Sequence, residues 1–354
     1  MNDLTIVLPL KDRAYFTYRW MKYAEENYAD YKIIIADGGQ DENVKKCLSS
    51  LNNYKKVNYK YIKYRYDSDY KTFFSKLSDA INKVDTEYCI LADNDDFFIK
   101  AGIDQSISFL KTNKDYSCCR GLIGQFSINS VKKNIDNVYI LHGEISLSYK
   151  DPLSRLVKAF SLKHQCLPSF YDVHRTKNIK NIFRLLDEMK TDEFLMFELL
   201  TNFIDSIDGK IARIDNLFLM RQLNLNESSN AEYISKYGDV LERIINRNYI
   251  EDYNKMKKVI YKEILIKMGL SNDDIIKNKI DDISKLFLIN SINKKKNKTI
   301  KNNFDIKKYV KNFLPYNYLK KLLPYNYLKK RGLSKIYVQY PGILEINNFI
   351  SNYK

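Results

Sequence analysis

The pattern of apolar and polar positions alternates between two periods over the first half of the chain. Leu4 to Leu10 (LTIVLPL) is a continuous apolar run ending on Pro9, as a buried strand does. Ala14 to Tyr28 has helical spacing. Tyr31 to Ala36 (YKIIIA) is a second buried run, closed by Asp37-Gly38-Gly39, after which Asp41 is placed to N-cap a helix reaching about Ser50. Val57 to Tyr64 alternates as a third strand. Lys71 to Val84 puts Phe74, Leu77, Ala80 and Ile81 on one helical face, and Tyr88 to Ala92 is a fourth strand. Strands separated by helices of about 12 residues predict a parallel sheet with right-handed crossovers. In such a sheet ligands bind at the carboxyl ends of the strands. Pro9 to Arg13, Asp37 to Gly39 and Asp93 to Asp96 are all strand ends, so they are expected to meet in one crevice.

Beyond Gly102 a helix is expected to Thr112, then strands over Tyr116 to Ile128 and Val138 to His142. Helices follow over Asp151 to Leu162, Lys177 to Met189 and Phe194 to Ile207, the last with Thr191 as its N-cap. Lys210 to Met220 reads as one or two terminal strands, and Ala231 to about Ile289 is helical. This gives an α/β fold with a mostly parallel sheet in residues 1–225, a helical region in 226–289, and a basic linker and amphipathic tail in 290–354.

Charge changes the picture only at that tail. The formal net charge is +16. Residues 291–331 contain thirteen Lys or Arg against one acid, Asp305, so +12 lies there and only +4 in the rest of the chain. The near-neutral body argues against a nucleic-acid-binding protein. LPYNYLKK occurs twice, at Leu314 to Lys321 and at Leu323 to Lys330. Each copy sets Pro at a helix N1 position, aromatic and Leu residues on one face, and Lys pairs on the other. That combination predicts a helix lying on an anionic membrane surface, through residues 305–331. The other reading is a solvated face on helices that pack back on the body. No run approaches the ~18 apolar residues of a spanning helix, and no signal peptide is evident at the N-terminus. The expected place is therefore cytoplasmic, peripheral on the inner face of the cell membrane. The five cysteines show no CxxC spacing, which predicts reduced core thiols and no zinc site.

The candidate chemistry sits in EYCILADNDDFF. Asp93, Asp95 and Asp96 place three carboxylates in four residues at the end of a core strand. They repel one another unless a cation or a hydrogen-bond network offsets them. Mg²⁺ or Mn²⁺ prefers such oxygen ligands and completes its shell with substrate phosphates. The plain alternative is an acidic strand-to-helix turn with Asp95 or Asp96 capping the next helix. Asp67-Ser68-Asp69 is a second DxD, but it follows no buried strand and reads as a solvated turn.

A first strand ending in Pro with a basic residue after it, a second ending in Asp, and a fourth ending in LADNDD resemble GT-A fold glycosyltransferases, most closely the inverting family 2 enzymes. The resemblance covers about Leu4 to Gln222. It implies a metal-dependent glycosyltransferase using Mn²⁺ or Mg²⁺ and a nucleotide sugar, a UDP-sugar first. The acceptor would be a glycan, a lipid-linked glycan or a protein. It further implies that Asp37 meets the base, that Pro9, Lys11 and Arg13 line the nucleotide pocket, that Asp93 and Asn94 face the ribose or sugar, and that Asp95, with Asp93, binds the metal. Where the family has an Asn-Gly-rich helix start with an Arg, this chain has DYKTFFSKLSDAINKV, which puts Lys76 nearest a donor-binding place. The family's general base is an acid opening a later helix, here Asp192 or Glu193 in TDEFLMFELL. Some GT-A enzymes add a late His ligand, for which His174 in FYDVHR is the candidate. The competing readings are a nucleotidyltransferase, disfavoured because PLKDRAYF lacks a Gly-rich loop, and a non-catalytic basic-tailed protein binding nucleic acid or membrane.

Overall fold

The computed structural model describes residues 3–50, 52–129, 131–142, 144–160, 169–223, 235, 238, 247–285 and 333–353. The expected alternation is present: β1 (Leu4–Leu10), α1 (Ala14–Asn27), β2 (Lys32–Asp37), α2 (Glu42–Ser49), β3 (Asn58–Lys63), α3 (Tyr70–Asn82) and β4 (Tyr88–Leu91). A two-residue strand β5 (Phe97–Phe98) and helix α4 (Lys100–Thr112) follow, then β6 (Tyr116–Asn129), β7 (Asn134–Leu141) and α5 (Pro152–Phe160). A single 3₁₀ turn (Ser169–Tyr171) leads into β8 (Val173–Arg175), α6 (Thr176–Met189), α7 (Phe194–Asp208) and β9 (Lys210–Gln222). Asp41 caps α2 as expected, accepting from the amides of Asn43 and Val44.

One mixed sheet runs in the order β3-β2-β1-β4-β8-β6-β9-β5, with β7 off that path and paired to the Ile123 to Asn129 end of β6. β1 to β4 are parallel, β8 is inserted antiparallel between β4 and β6, and β6 and β9 are parallel. The apolar residues form two layers, one on each face. One holds α1 and α4 residues such as Trp20, Tyr23, Ile103 and Leu110; the other holds α3, α6 and α7 residues such as Phe74, Leu77, Ile182, Leu200 and Phe203. Helix α8 (Arg247–Met268) extends the second layer through Tyr249, Tyr253, Met256 and Ile260, and the next helix, α9, covers 274–285. Among the described residues no helix is long and apolar enough to cross a membrane.

The described end of the chain returns to the body. α10 (Leu333–Gln339) and α11 (Pro341–Asn352) fold onto the first layer. Ile343, Ile346 and Ile350 are buried there, and Phe349 packs edge-on against Tyr23 and Phe97. The reason is visible in PGILEINNFISN, whose isoleucines recur at helical spacing, with Pro at the helix start. The repeat and the span 305–331 lie outside the described residues.

Candidate active site

The carboxyl end of β1 is built from two left-handed residues in succession, Asp12 (φ 59°) and Arg13 (φ 61°). Non-glycine residues rarely occupy that region, so surrounding bonds must hold them there. Asp12 Oδ1 accepts the amides of Gln40 (2.6 Å) and Asp41 (3.2 Å), and the Gly38 amide donates to the Leu10 carbonyl (2.9 Å). The β1 and β2 ends are thereby clasped. The Arg13 carbonyl opens α1 by accepting from the Phe16 and Thr17 amides. Its guanidinium lies 4.3 Å from the Phe16 ring centre and donates through Nη2 to Asp95 Oδ2 at 3.0 Å.

Asp37 closes β2 and is buried. Its Oδ1 accepts the Gly39 amide (2.7 Å); Oδ2 accepts the Tyr61 hydroxyl (2.6 Å) and Lys63 Nζ (3.1 Å). Pro9 is half-buried in register with Ala36, and Lys11 lies 5.3 Å over the Tyr66 ring. Lys76 is fully buried beneath this rim, donating to the Leu10 carbonyl (3.1 Å) and to Asp67. It therefore anchors the floor between β1 and the 65–69 loop. Asp67 is thus no part of a solvated turn, as its sequence neighbours suggested; only Asp69 behaves locally, capping α3 through the Thr72 amide. A methyl group on Gly38 would collide with the Asp67 carboxylate, which is why the loop can close over that residue. Desolvation pulls Asp67 up and Lys76 down, each against the attraction of the other.

The three acids at the β4 end do not cap α4, whose N-cap is Ile99 with no side-chain hydrogen bond. Oxygens of Asp93, Asp95 and Asp96 lie within 4.8 Å of one another. Asp93 accepts the Tyr171 hydroxyl. Asp96 accepts Arg221 Nε (3.1 Å) and the Gln222 amide (3.0 Å). Asn94 donates to Thr17 (3.0 Å), and Arg19, buried under the turn, donates to the Asp95 carbonyl (3.4 Å) and to Gln222 (2.7 Å). Desolvation, and then the charge of Asp95, raise the Asp93 carboxyl. Desolvation pushes Asp96 up to about 7 although Arg221 pulls it down. Arg13 and Arg221 pair with Asp95 and Asp96, and the Arg19 guanidinium lies beneath the turn. An all-oxygen donor set fits a hard divalent cation, which Asp95 and Asp93 could hold.

One candidate from the sequence lies elsewhere. His174 sits in the middle of β8, paired in register with Cys89 and Cys118. Its Nε2 is 2.9 Å from Asp205 on α7, and with Cys118 it forms a buried cluster separate from the Asp93 to Asp96 group. The structure does not bring it to the strand-end acids, because its side chain points into the second apolar layer. Cys89, Cys118 and Cys119 are buried free thiols, and burial raises each. Asp192 is half-buried, and its Oδ1 accepts the Tyr70 amide (2.7 Å) at the first turn of α3. Glu193 is buried and is the N-cap of α7, accepting the Leu195 amide at 3.2 Å. It takes the capping place expected of Thr191, whose hydroxyl instead accepts the Glu193 amide (3.1 Å) and donates to Asp252 (2.7 Å).

Tyr171, Arg19 and Arg221 complete the acidic turn and were not singled out in the sequence. Tyr171 and Arg221 belong to a three-residue 3₁₀ turn and the last residues of a strand, with no motif to mark them. The lone buried Arg19 in an apolar helix face, YRWMKYA, was a readable signal.

No sequence family model and no curated protein sequence matches the chain. Solved structures do. A crystal structure of S. aureus TarS 1-349 superposes with a TM-score of 0.50 at 12% identity, over 82% of this chain and 71% of that one. The chain has the GT-A fold. A second structure of S. aureus TarS 1-349, in complex with UDP-GlcNAc, aligns at 13% identity over 82% of this chain and 72% of that one, with a TM-score of 0.48. The GT-A fold expected from the strand-end pattern is therefore the fold observed.

Proposed function

We propose that this protein is a metal-dependent glycosyltransferase that moves a sugar from a nucleotide-sugar donor to an acceptor hydroxyl with inversion. The observation that carries the reading is the meeting of three chain-distant strand ends. Arg13 from β1 touches Asp95 from β4, and the β1 end is tied to the loop after Asp37 through Asp12. On the GT-A fold this is where a donor nucleotide belongs. Asp37, fixed by Tyr61 and Lys63, presents a rigid polar edge for the base; Pro9, Lys11 and Arg13 border it. Asp93 and Asn94 lie towards the ribose and sugar. Lys76 acts from beneath, holding the Leu10 carbonyl and Asp67 in place rather than touching the donor.

A bound Mn²⁺ or Mg²⁺ would supply stabilisation of the charge that develops on the leaving diphosphate. Asp192 is the proposed general base: it is half-buried, oriented by the Tyr70 amide, and would take the proton of the attacking hydroxyl. Glu193, committed to its cap, supports it. The acceptor is proposed to be a glycan, lipid-linked or protein-borne hydroxyl. Residues 305–331 would hold the enzyme to the anionic inner face of the membrane.

The test is a thermal-shift screen of nucleoside diphosphates and their sugars, uridine derivatives first, with and without Mn²⁺. A ligand that binds the native state raises the midpoint by mass action. The expected result is a shift that needs both Mn²⁺ and Asp95, lost in Asp95→Ala. No shift with any nucleotide would overturn the reading.

A further inference from the structure

The three acids are not held alike. Asp93 is bonded to Tyr171 on the 3₁₀ turn ahead of β8, and Asp96 to Arg221 and the Gln222 backbone on β9. The described partner of the Asp95 carboxylate is Arg13 alone, through one nitrogen, and both side chains stay partly exposed, at 18% and 14%. Arg13 is also under-used. Its Nε is buried without a hydrogen-bond partner among the described residues. A guanidinium built to donate as a planar fork is holding a carboxylate by one tine. Its backbone, in contrast, is fixed by the bonds of Asp12 and by the start of α1. Movement there would be rotation of the side chain alone.

Charge counting gives a direction to that movement. Counted formally, Asp93, Asp95 and Asp96 are balanced by Arg13, Arg221 and the Arg19 beneath the turn. A divalent ion that replaces Arg13 leaves one net positive charge, whereas one that joins it leaves two. Arg19 remains under the turn in either state, since it is 1% exposed and bonded to Gln222. An arriving diphosphate carries at least two negative charges and offers the oxygen pair that a free guanidinium fork fits.

We propose that Arg13 is an exchangeable counter-ion. It holds Asp95 in the metal-free protein, yields that carboxylate to the divalent cation, and swings onto the donor's diphosphate. This rests on the metal-dependent reading above. It makes Arg13 an antagonist of the metal alone and an ally of the metal with nucleotide.

The experiment is Mn²⁺ titration of the full-length protein followed by electron paramagnetic resonance of the free ion, without nucleotide, for wild type, Arg13→Gln, Arg13→Lys and Asp95→Asn. Calorimetric UDP titration at saturating Mn²⁺ accompanies it. Arg13→Gln is expected to bind Mn²⁺ on the order of fivefold more tightly than wild type and UDP roughly tenfold more weakly. Arg13→Lys, which keeps the charge without the fork, should hold Mn²⁺ affinity near wild type and lose UDP affinity. It also serves if Arg13→Gln does not fold. Mn²⁺ affinity in Arg13→Gln equal to or below wild type overturns the exchange while leaving an Asp95-dependent metal site intact. Absence of Mn²⁺ binding in wild type overturns the exchange and the metal reading together.

Discussion

The guanidinium of Arg221 lies 4.9 Å from the centre of the Tyr171 ring. One residue thus grips Asp96 through Nε while covering the other, whose hydroxyl is bonded to Asp93. The pair fixes two of the three acids from outside the acidic turn. In Tyr171→Phe the cover persists and the hydroxyl is lost. Because that bond favours the ionised Asp93, its removal should raise the Asp93 carboxyl. The acid limb of Mn²⁺-dependent UDP binding is expected to move to higher pH. Calorimetry from pH 5 to 8 would show it; an unmoved limb would mean that Asp93 does not titrate with metal binding.

Asp96 makes stability depend on pH in a defined sense. Its carboxyl rises from 3.8 to about 7 on folding, first through desolvation. A group that binds protons more tightly when folded contributes stability fully present below the unfolded value, and lost as pH climbs through the folded one. Melting without divalent ions should therefore fall between pH 5 and pH 8. Asp96→Asn, which mimics the protonated form, should flatten that fall by roughly a few degrees. Identical slopes in the two proteins would refute the assignment.

Lys76 and Asp67 form a pair with almost no exposed surface. Removing one partner strands a buried charge, which costs about 3–5 kcal/mol. Lys76→Met should lose that much by urea denaturation, whereas Asp67→Asn/Lys76→Met should recover part of it. If the donor itself contacted Lys76, the double variant would lose nucleotide affinity more than stability.

How much of this was legible varies with the range of the interaction. The parallel half of the sheet was readable because β1, β2 and β4 are apolar runs stopped by polar residues, and the meeting of their carboxyl ends followed from where they stop. β5 and β8 have two and three residues, too few for a period to show, and β8 is a strand only because β4 and β6 flank it. The 67–69 turn looked solvated because Asp67 and Lys76 are nine residues apart and meet only through the fold. The cap of α7 slipped by two positions since Thr191, Asp192 and Glu193 can all accept from a helix amide. Arg13 was named in the sequence as a pocket candidate, but its hold on Asp95 spans 82 positions, beyond any local pattern.

Asp192 and Glu193 adjoin in sequence but are held differently, so their variants should separate. Glu193 caps α7 from a buried position. Glu193→Ala should lose about 1 kcal/mol of stability with transfer activity largely kept in the folded fraction. Asp192→Asn should retain Mn²⁺-dependent UDP binding and stability yet lose transfer by roughly 10²–10⁴-fold, the range of a missing general base. Loss of transfer in Glu193→Gln with Asp192→Asn active would exchange the two roles.

The return of α11 to the body dictates how the basic segment must be tested. A chain cut after residue 289 would remove the repeat and would also strip Ile343, Ile346 and Phe349 from Tyr23, Phe97 and Ile99. Loss of membrane binding in such a protein would be confounded by loss of stability. Ile346→Ala alone, at a fully buried position, should cost about 2–5 kcal/mol. A better variant replaces residues 305–331 with a neutral Gly/Ser linker of equal length and leaves α10 and α11 attached. That protein should melt within roughly 2 °C of wild type and keep UDP binding. In sedimentation with anionic vesicles it should remain in the supernatant where wild type pellets. Each lysine near an anionic surface contributes about 1 kcal/mol, so the difference should be large at low salt and shrink as salt is added. Equal pelleting of the two proteins would place membrane binding, if any, outside the repeat.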